Sequence, residues 1–355
     1  MARRGQPSEE PDDLSVHELI DGPTEILSRE SLNAIRRPGP AGNDLSVERT
    51  HDLSAAATEV TRDLSSAGPA RRSRKRVELP RMPAAGPLYR RALLGALPGL
   101  GGRRRGNALP AVELAVGGVS VDRTHLADYD RVCGFRLTDR LPATFPHVMG
   151  FPLSLRLMTA PDFPLPLTGL VHIDNRITVH RPITADETLD FTTYAQDLRP
   201  HDRGRQLDVV LVGSVDGEEV WRGVSTYLGR ERTAGGGERR DRSGRTEAPA
   251  GTARWRVEPR VGTEYARVSG DHNPIHTSVL GARLFGFRRP IAHGMWSKAR
   301  CLAALENRLQ DAYTVEVAFK LPVPLPSTVS FALLPDGGFT LHDSRGRPHL
   351  VGLLR

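Results

Sequence analysis

The chain has 355 residues, enough for one large or two modest domains, but its 38% hydrophobic and 5% aromatic content is low for a chain packed throughout. The formal charge of +7 favours anionic partners such as acidic lipid or a phosphorylated carrier, yet the arginines are scattered without interleaved aromatics, so no nucleic-acid platform is expected. Two cysteines, Cys133 and Cys301, exclude a disulfide framework and a Cys-rich zinc site and suit a reducing cytoplasm, while the opening "MARRGQPSEEPDD" lacks the apolar core of a secretory signal.

Residues 1–85 read as a disordered tail, because Pro, Gly, Ser, Glu and Arg dominate and no apolar period persists. Within it the triplet Asp-Leu-Ser recurs at 13–15, 44–46, 52–54 and 63–65, and a basic cluster, "RRSRKR", occupies 71–76. Foldable sequence follows Met82, which is a candidate for the true start of translation. The run Ala92–Gly102 is too short to span a bilayer and contains Pro98, so it reads as an arm on its own domain, with a lipid-surface helix as the alternative.

Two similar segments come next, 86–229 and 252–355, separated by a Gly- and Arg-rich flexible linker at 230–251. "YDRVCGF" at 129–135 matches "YARVSGD" at 265–271, "PHVMG" matches "PIAHG", and "ITVHRPITADETLDF" (177–191) aligns without gaps on "VAFKLPVPLPSTVSF" (317–331). In each segment a helix and a turn lead to a longer helix, then to strands marked by alternating apolar residues. The stretch 290–309 carries apolar residues at 3–4 spacing and predicts a helix with a buried stripe. One long helix followed by an antiparallel sheet suggests an α+β unit whose sheet wraps the helix. A lone unit of that kind leaves apolar surface exposed, and the second repeat supplies the partner.

The chemistry concentrates in "YARVSGDHNPIH", Tyr265 to His276. Gly270 and Pro274 bracket a tight non-helical turn that can aim Asp271 and His276 into one pocket. An acid and an imidazole together can share proton transfer near neutral pH, with Asn273 hydrogen-bonding a water or the histidine. The plainer reading of the Asp-x-Asn-Pro run is an Asx-turn or helix cap, which leaves His276 unexplained. Asp271, His272 and His276 match no standard metal-site spacing, so no metal is expected, and His272 is expected to face solvent. Downstream, Gly294 lies near the start of the long helix, where an amide without a helical acceptor can bind charge developing on a carbonyl oxygen. His293 is a further lining candidate.

The run "YxxVSGDxNPIH" followed by "AHGM" resembles the signature of the MaoC-like, or hydratase-2, (R)-specific enoyl-thioester hydratases and dehydratases, and the paired repeats resemble the double-hotdog, actinobacterial 3-hydroxyacyl-thioester dehydratases. The resemblance implies a double hotdog, with Asp271 and His276 as catalytic dyad, Asn273 in support and Gly294 as oxyanion donor. It implies reversible syn dehydration of a (3R)-3-hydroxyacyl thioester of CoA or acyl carrier protein to the trans-2-enoyl thioester, without metal, nucleotide or redox cofactor. His276 is the favoured base at C2, with Asp271 handling the water. Substrate contacts are expected from His293, Met295, Arg288 and Lys298, with Arg283 and Arg289 as further candidates for phosphate. In the first repeat Phe135, Leu137 and Arg140 stand where Asp271, Asn273 and His276 would be, and Met149 replaces His293, so that half is expected to be silent. A cytoplasmic location and a homodimer are compatible with this reading. The competing functions are a hotdog thioesterase, a non-catalytic acyl-thioester-binding subunit, and a nucleic-acid-associated protein acting through its basic tail.

Overall fold

The structure, a computed structural model, describes residues 74–94, 108–167, 169–230 and 251–355. The Asp-Leu-Ser triplets, most of the Ala92–Gly102 run and the 231–250 part of the linker lie outside those residues.

The first half begins with strand β1 (Lys75–Glu78) and helix α1 (Ala85–Leu94), then β2 (Val112–Ser120), α2 (Arg123–Cys133) and α3 (Phe145–Met158). Four strands complete it: β3 (Leu170–Val179), β4 (Thr188–His201), β5 (Gly204–Val215) and β6 (Glu218–Arg230). The second half repeats the plan with β7 (Ala253–Val257), α4 (Val261–Ser269), α5 (Pro274–Thr277), α6 (Val279–Leu284) and α7 (Gly294–Leu305). It closes with β8 (Tyr313–Phe319), β9 (Ser327–Leu333), β10 (Gly338–His342) and β11 (Pro348–Leu354).

The eleven strands of the described residues form one sheet, ordered β1-β2-β4-β5-β6-β3-β8-β11-β10-β9-β7. The seam between halves is the antiparallel pair β3–β8, in register from Asp174↔Ala318 to Val179↔Tyr313. Outward from that seam the order is β6, β5, β4, β2 on one side and β11, β10, β9, β7 on the other, so these strands match place for place, and β1 extends the first side by one more strand. Helices α3 and α7 are the central helices. Phe145, Leu153, Leu155 and Leu157 of α3 are buried on all sides, as are Trp296, Ala299, Cys301 and Leu302 of α7. A helix that buries side chains on every face is stable only when wrapped, and each fully buried Leu or Phe contributes roughly 1.5–3 kcal/mol. The arrangement is the double hotdog.

Equivalent residues meet where the halves face each other. Tyr129 and Tyr265 pack at a ring separation of 6.2 Å, and Trp296 Nε1 donates to the Val132 carbonyl at 3.1 Å. Gly134 and Gly270 end α2 and α4 in the left-handed region, at φ 82° and 71°, which glycine adopts without strain.

The expectation of a disordered tail through residue 85 is corrected. Residues 75–78 pair in parallel with β2, Lys75↔Val112 to Glu78↔Ala115. Arg76 forms ion pairs with Glu78 and Glu113, Val77 packs on the core, and Arg74 lies 4.0 Å over the Tyr194 ring. This strand precedes Met82, so a chain starting at Met82 lacks it. Among the described residues, no helix is long and apolar enough to cross a membrane.

Candidate active site

Three short segments of the second half converge beneath α7. Helix α4 ends at Gly270, and the turn that follows is tied by its own polar groups. The Asn273 N–H donates to Asp271 Oδ1 at 3.2 Å, and Asn273 Oδ1 accepts from the Ile275 N–H at 3.3 Å, capping α5. Helix α5 carries His276. The 291–293 segment runs alongside, with the Ile291 N–H bonded to the Ile275 carbonyl and the Ala292 N–H to the Val323 carbonyl, and it delivers His293 and Gly294 to the same point.

The donor atoms of Asp271, His276 and His293 all lie within 4.8 Å of one another. His276 Nδ1 is 2.7 Å from the Ile291 carbonyl; a hydrogen bond there puts the proton on Nδ1 and leaves Nε2 as the lone pair. His293 Nε2 is 3.0 Å from the Asp271 carbonyl oxygen and 3.9 Å from Asp271 Oδ2. The two imidazoles stack at 3.7 Å with 25° between planes. Nitrogen lone pairs lie in the ring plane, so stacked rings point them side by side rather than at a common centre. The trio has metal-ligating residue types, but this stacking suits proton transfer better than a convergent cation site.

Burial pushes the Asp271 carboxyl upward, but the facing His293 and His276 imidazoles, the Tyr89 hydroxyl and the Asn273 amide outweigh it, leaving the carboxyl below its ordinary range. Burial pulls the His276 imidazole below its ordinary value, against the opposing pull of Asp271 and of the Ile291 carbonyl. Burial, then His276, pushes His293 down to about 3. At neutral pH the pair is therefore a carboxylate beside a neutral imidazole.

Gly294 is the first residue of α7, and its N–H is among the first-turn donors that no helical carbonyl accepts. A Cβ there would stand 3.1 Å from the Phe319 ring, so a larger residue would require that ring to give by a few tenths of an ångström. Gly294, Asp271, Asn273, His276, His293 and Met295 all line one cavity of about 480 Å³.

Arg288, Arg283 and Arg289 are exposed and do not line that cavity, so the structure does not bring them to the site. Lys298 is a correction. It is fully buried, and its Nζ donates to the Asn175 carbonyl at 3.0 Å, to Asn175 Oδ1 at 2.6 Å and to the Val315 carbonyl at 3.1 Å. All three of its donors are committed to the β3–β8 seam, which makes it a fastener between the halves. The lysine and arginine that do line the cavity are Lys320 and Arg203.

The first half supplies the opposite wall, including His147 of α3, His172 of β3 and Tyr227 of β6. Burial pushes His147 down to about 4 and His172 to about 3, so both face the cavity neutral. At the positions matched to the dyad, Phe135 is buried against Tyr129 at 6.3 Å, Leu137 is exposed, and Arg140 pairs with Asp311 across the halves at 2.8 Å. Gly150, matched to Gly294, falls inside α3 rather than at its start, so its amide is consumed by the helix. Sequence reasoning missed Tyr89 of α1, whose hydroxyl donates to Asp271 Oδ1 at 2.5 Å.

A wrapped pair of central helices, with an acid, an imidazole and a helix-start amide around one cavity, defines a double-hotdog protein of the MaoC-like class. Residues 243–340 match the family described as the MaoC like domain. Over 270 residues the chain is 37% identical to 3-hydroxyacyl-thioester dehydratase X of Mycobacterium tuberculosis, covering 75% of this chain and 95% of that protein. The crystal structure of HtdX from the same organism matches with a TM-score of 0.61 at 35% identity, over 68% of this chain and 99% of that one. A MaoC-like dehydratase from Phytophthora capsici shares the fold, with a TM-score of 0.52 at 19% identity over 68% of this chain and 95% of that one. The chain belongs to the MaoC-like family.

Proposed function

We propose that this chain is a hydro-lyase that reversibly dehydrates (3R)-3-hydroxyacyl thioesters to trans-2-enoyl thioesters in fatty-acid metabolism, with one active site per chain, in the second half. The observation that carries this reading is the convergence of the Asp271 carboxylate, the His276 Nε2 lone pair and the Gly294 amide on one cavity.

The α-proton of a thioester is weakly acidic, and removing it places charge on the carbonyl oxygen. The Gly294 N–H stabilises that charge; a donor of this kind is worth roughly 3–4 kcal/mol in the transition state. His276 Nε2 takes the C2 proton and becomes imidazolium. Asp271 is ionised and has no proton to give, so it accepts a hydrogen bond from the 3-hydroxyl, orients it and stabilises the imidazolium. The C3–O bond breaks as the imidazolium protonates the departing oxygen, and water leaves with His276 neutral again. One proton travels from C2 to oxygen on one face, which accounts for a syn course. Asn273 holds the turn that aims both groups. His147, His172 and Tyr227 of the first half shape the opposite wall. Arg203 and Lys320 contribute positive charge suited to the phosphates of CoA or of a carrier protein's phosphopantetheine. The reaction fits a cytoplasmic setting and calls on no cofactor.

The test is incubation of the purified chain with crotonyl-CoA, followed by chiral analysis of the product and assay of free CoA. The (3R)-3-hydroxybutyryl thioester is expected. Release of free CoA in place of hydration makes the chain a thioesterase, and binding without turnover makes it an acyl-thioester-binding subunit.

A further inference from the structure

Helix α1 belongs to the first half, yet its Tyr89 reaches the reacting groups of the second. Tyr89, 9% exposed, reaches across to Asp271, 182 residues further along the chain, and donates its hydroxyl to Oδ1 at 2.5 Å. The same oxygen accepts the Asn273 N–H at 3.2 Å. Oδ1 thus has two donors, one for each lone pair. Oδ2 is placed differently, with His293 Nε2 at 3.9 Å, beyond hydrogen-bond reach, as its neighbouring nitrogen. We infer that Tyr89 is a positioning residue that clamps Asp271 through Oδ1 and so selects Oδ2 as the oxygen that meets the 3-hydroxyl or the attacking water.

This inference rests on the dehydratase reading above. The terminal torsion of an aspartate is broad and two-fold, so a carboxylate held at neither oxygen can turn and present either one. Asn273 restrains Oδ1 from within the turn itself, whereas Tyr89 restrains it from a separate helix packed over the cavity. Burial, with Asp271 adding to it, holds the Tyr89 phenol well above its ordinary pKa, so the hydroxyl stays protonated and acts as a donor at working pH. A buried tyrosine hydroxyl commonly seeks a partner, and satisfaction alone could explain the contact. Here, however, the acceptor is a carboxylate oxygen among the reacting groups, and the bond reaches it from a separate helix 182 residues away. The contact is specific to the carboxylate, and it makes α1 part of the active site.

The experiment compares Tyr89→Phe, Tyr89→Leu and Asp271→Asn in the full chain, by kcat and KM for crotonyl-CoA hydration and by thermal unfolding. Tyr89→Phe keeps the ring and removes only the donor. We expect its kcat to fall about tenfold with KM within about twofold and a melting curve close to that of the parent. Tyr89→Leu should show the same fall in kcat together with a lower melting temperature. An unchanged kcat in Tyr89→Phe overturns the inference and leaves Tyr89 a packing residue. A lower KM with higher kcat/KM in Tyr89→Phe overturns it differently, because the hydroxyl then occupies a substrate position. Full activity in Asp271→Asn defeats the dyad, and this inference with it, whereas an inactive Asp271→Asn beside an unaffected Tyr89→Phe removes this inference alone.

Discussion

Gly262 offers a sharp test of how tightly the dyad is held. It is the second residue of α4, and a Cβ added there would stand 2.0 Å from the carbonyl oxygen of His276 and 3.1 Å from Leu325 Cδ1. Ordinary contact begins near 3.4 Å, so Gly262→Ala must push the His276 backbone away by well over an ångström or displace α4 by as much. The obstacle is backbone on a four-residue helix already capped by Asn273 and tied to Ile291, and it cannot swing aside as a side-chain tip would. Alanine is intrinsically better than glycine in a helix by about 1 kcal/mol, and overpacking costs about 1–3 kcal/mol, so the net loss of stability should be modest. The catalytic loss should be much larger, since misplacing a reacting group by about 1 Å can cost on the order of 100-fold. Gly281 clasps the same segment from α6, where a Cβ would meet the Pro274 carbonyl oxygen at 2.7 Å. The assay is kcat for crotonyl-CoA hydration alongside a melting curve. Parental kcat at parental stability in Gly262→Ala would refute the argument that α4 fixes the position of His276.

Lys298→Met should remove a buried fastener and leave Asn175 Oδ1 short of a donor, at a cost of about 1–3 kcal/mol in denaturant unfolding, with KM for the CoA substrate little changed. A raised KM at unchanged stability would return Lys298 to the substrate site. Arg140→Ala removes an exposed pair with Asp311 worth about 0.2–1 kcal/mol and should leave kcat as it is, which steady-state kinetics will check. Stability should fall with acidification. His147, His172 and His293 are held neutral by burial, at about 4, about 3 and about 3, whereas an unfolded histidine takes its proton near 6.5. Their contribution is complete above that value and is lost as pH drops toward the folded values, by about 1.4 kcal/mol per pH unit for each. Urea midpoints between pH 7 and 4 measure this, and a flat profile contradicts it.

The convergence of Asp271 and His276 was legible because it is local. Asp271, Asn273 and His276 sit within six residues on one turn, and the Gly294 helix start follows closely enough for the order of residues to imply their convergence. The repeat was legible for a related reason, since matched glycines and prolines mark the same turns twice. Tyr89 was not legible, because nothing in its flanking sequence encodes a contact 182 residues away. Strand β1 was missed because its single inward side chain, Val77, is framed by Lys75, Arg76 and Glu78, and its stability comes from pairing with β2. Lys298 misled because lysine is rarely buried. What buries it is the row of carbonyls at the β3–β8 seam, which exists only once the two halves have joined.

The most direct measurement is hydration of crotonyl-CoA in D2O by the parent chain, Asp271→Asn and His276→Ala, with the faces of the new C–D and C–O bonds read from the product. The account predicts deuterium and hydroxyl on the same face for the parent, and no product above background for either variant, each still folded. Addition to opposite faces, or turnover that survives the loss of either side chain, would contradict it.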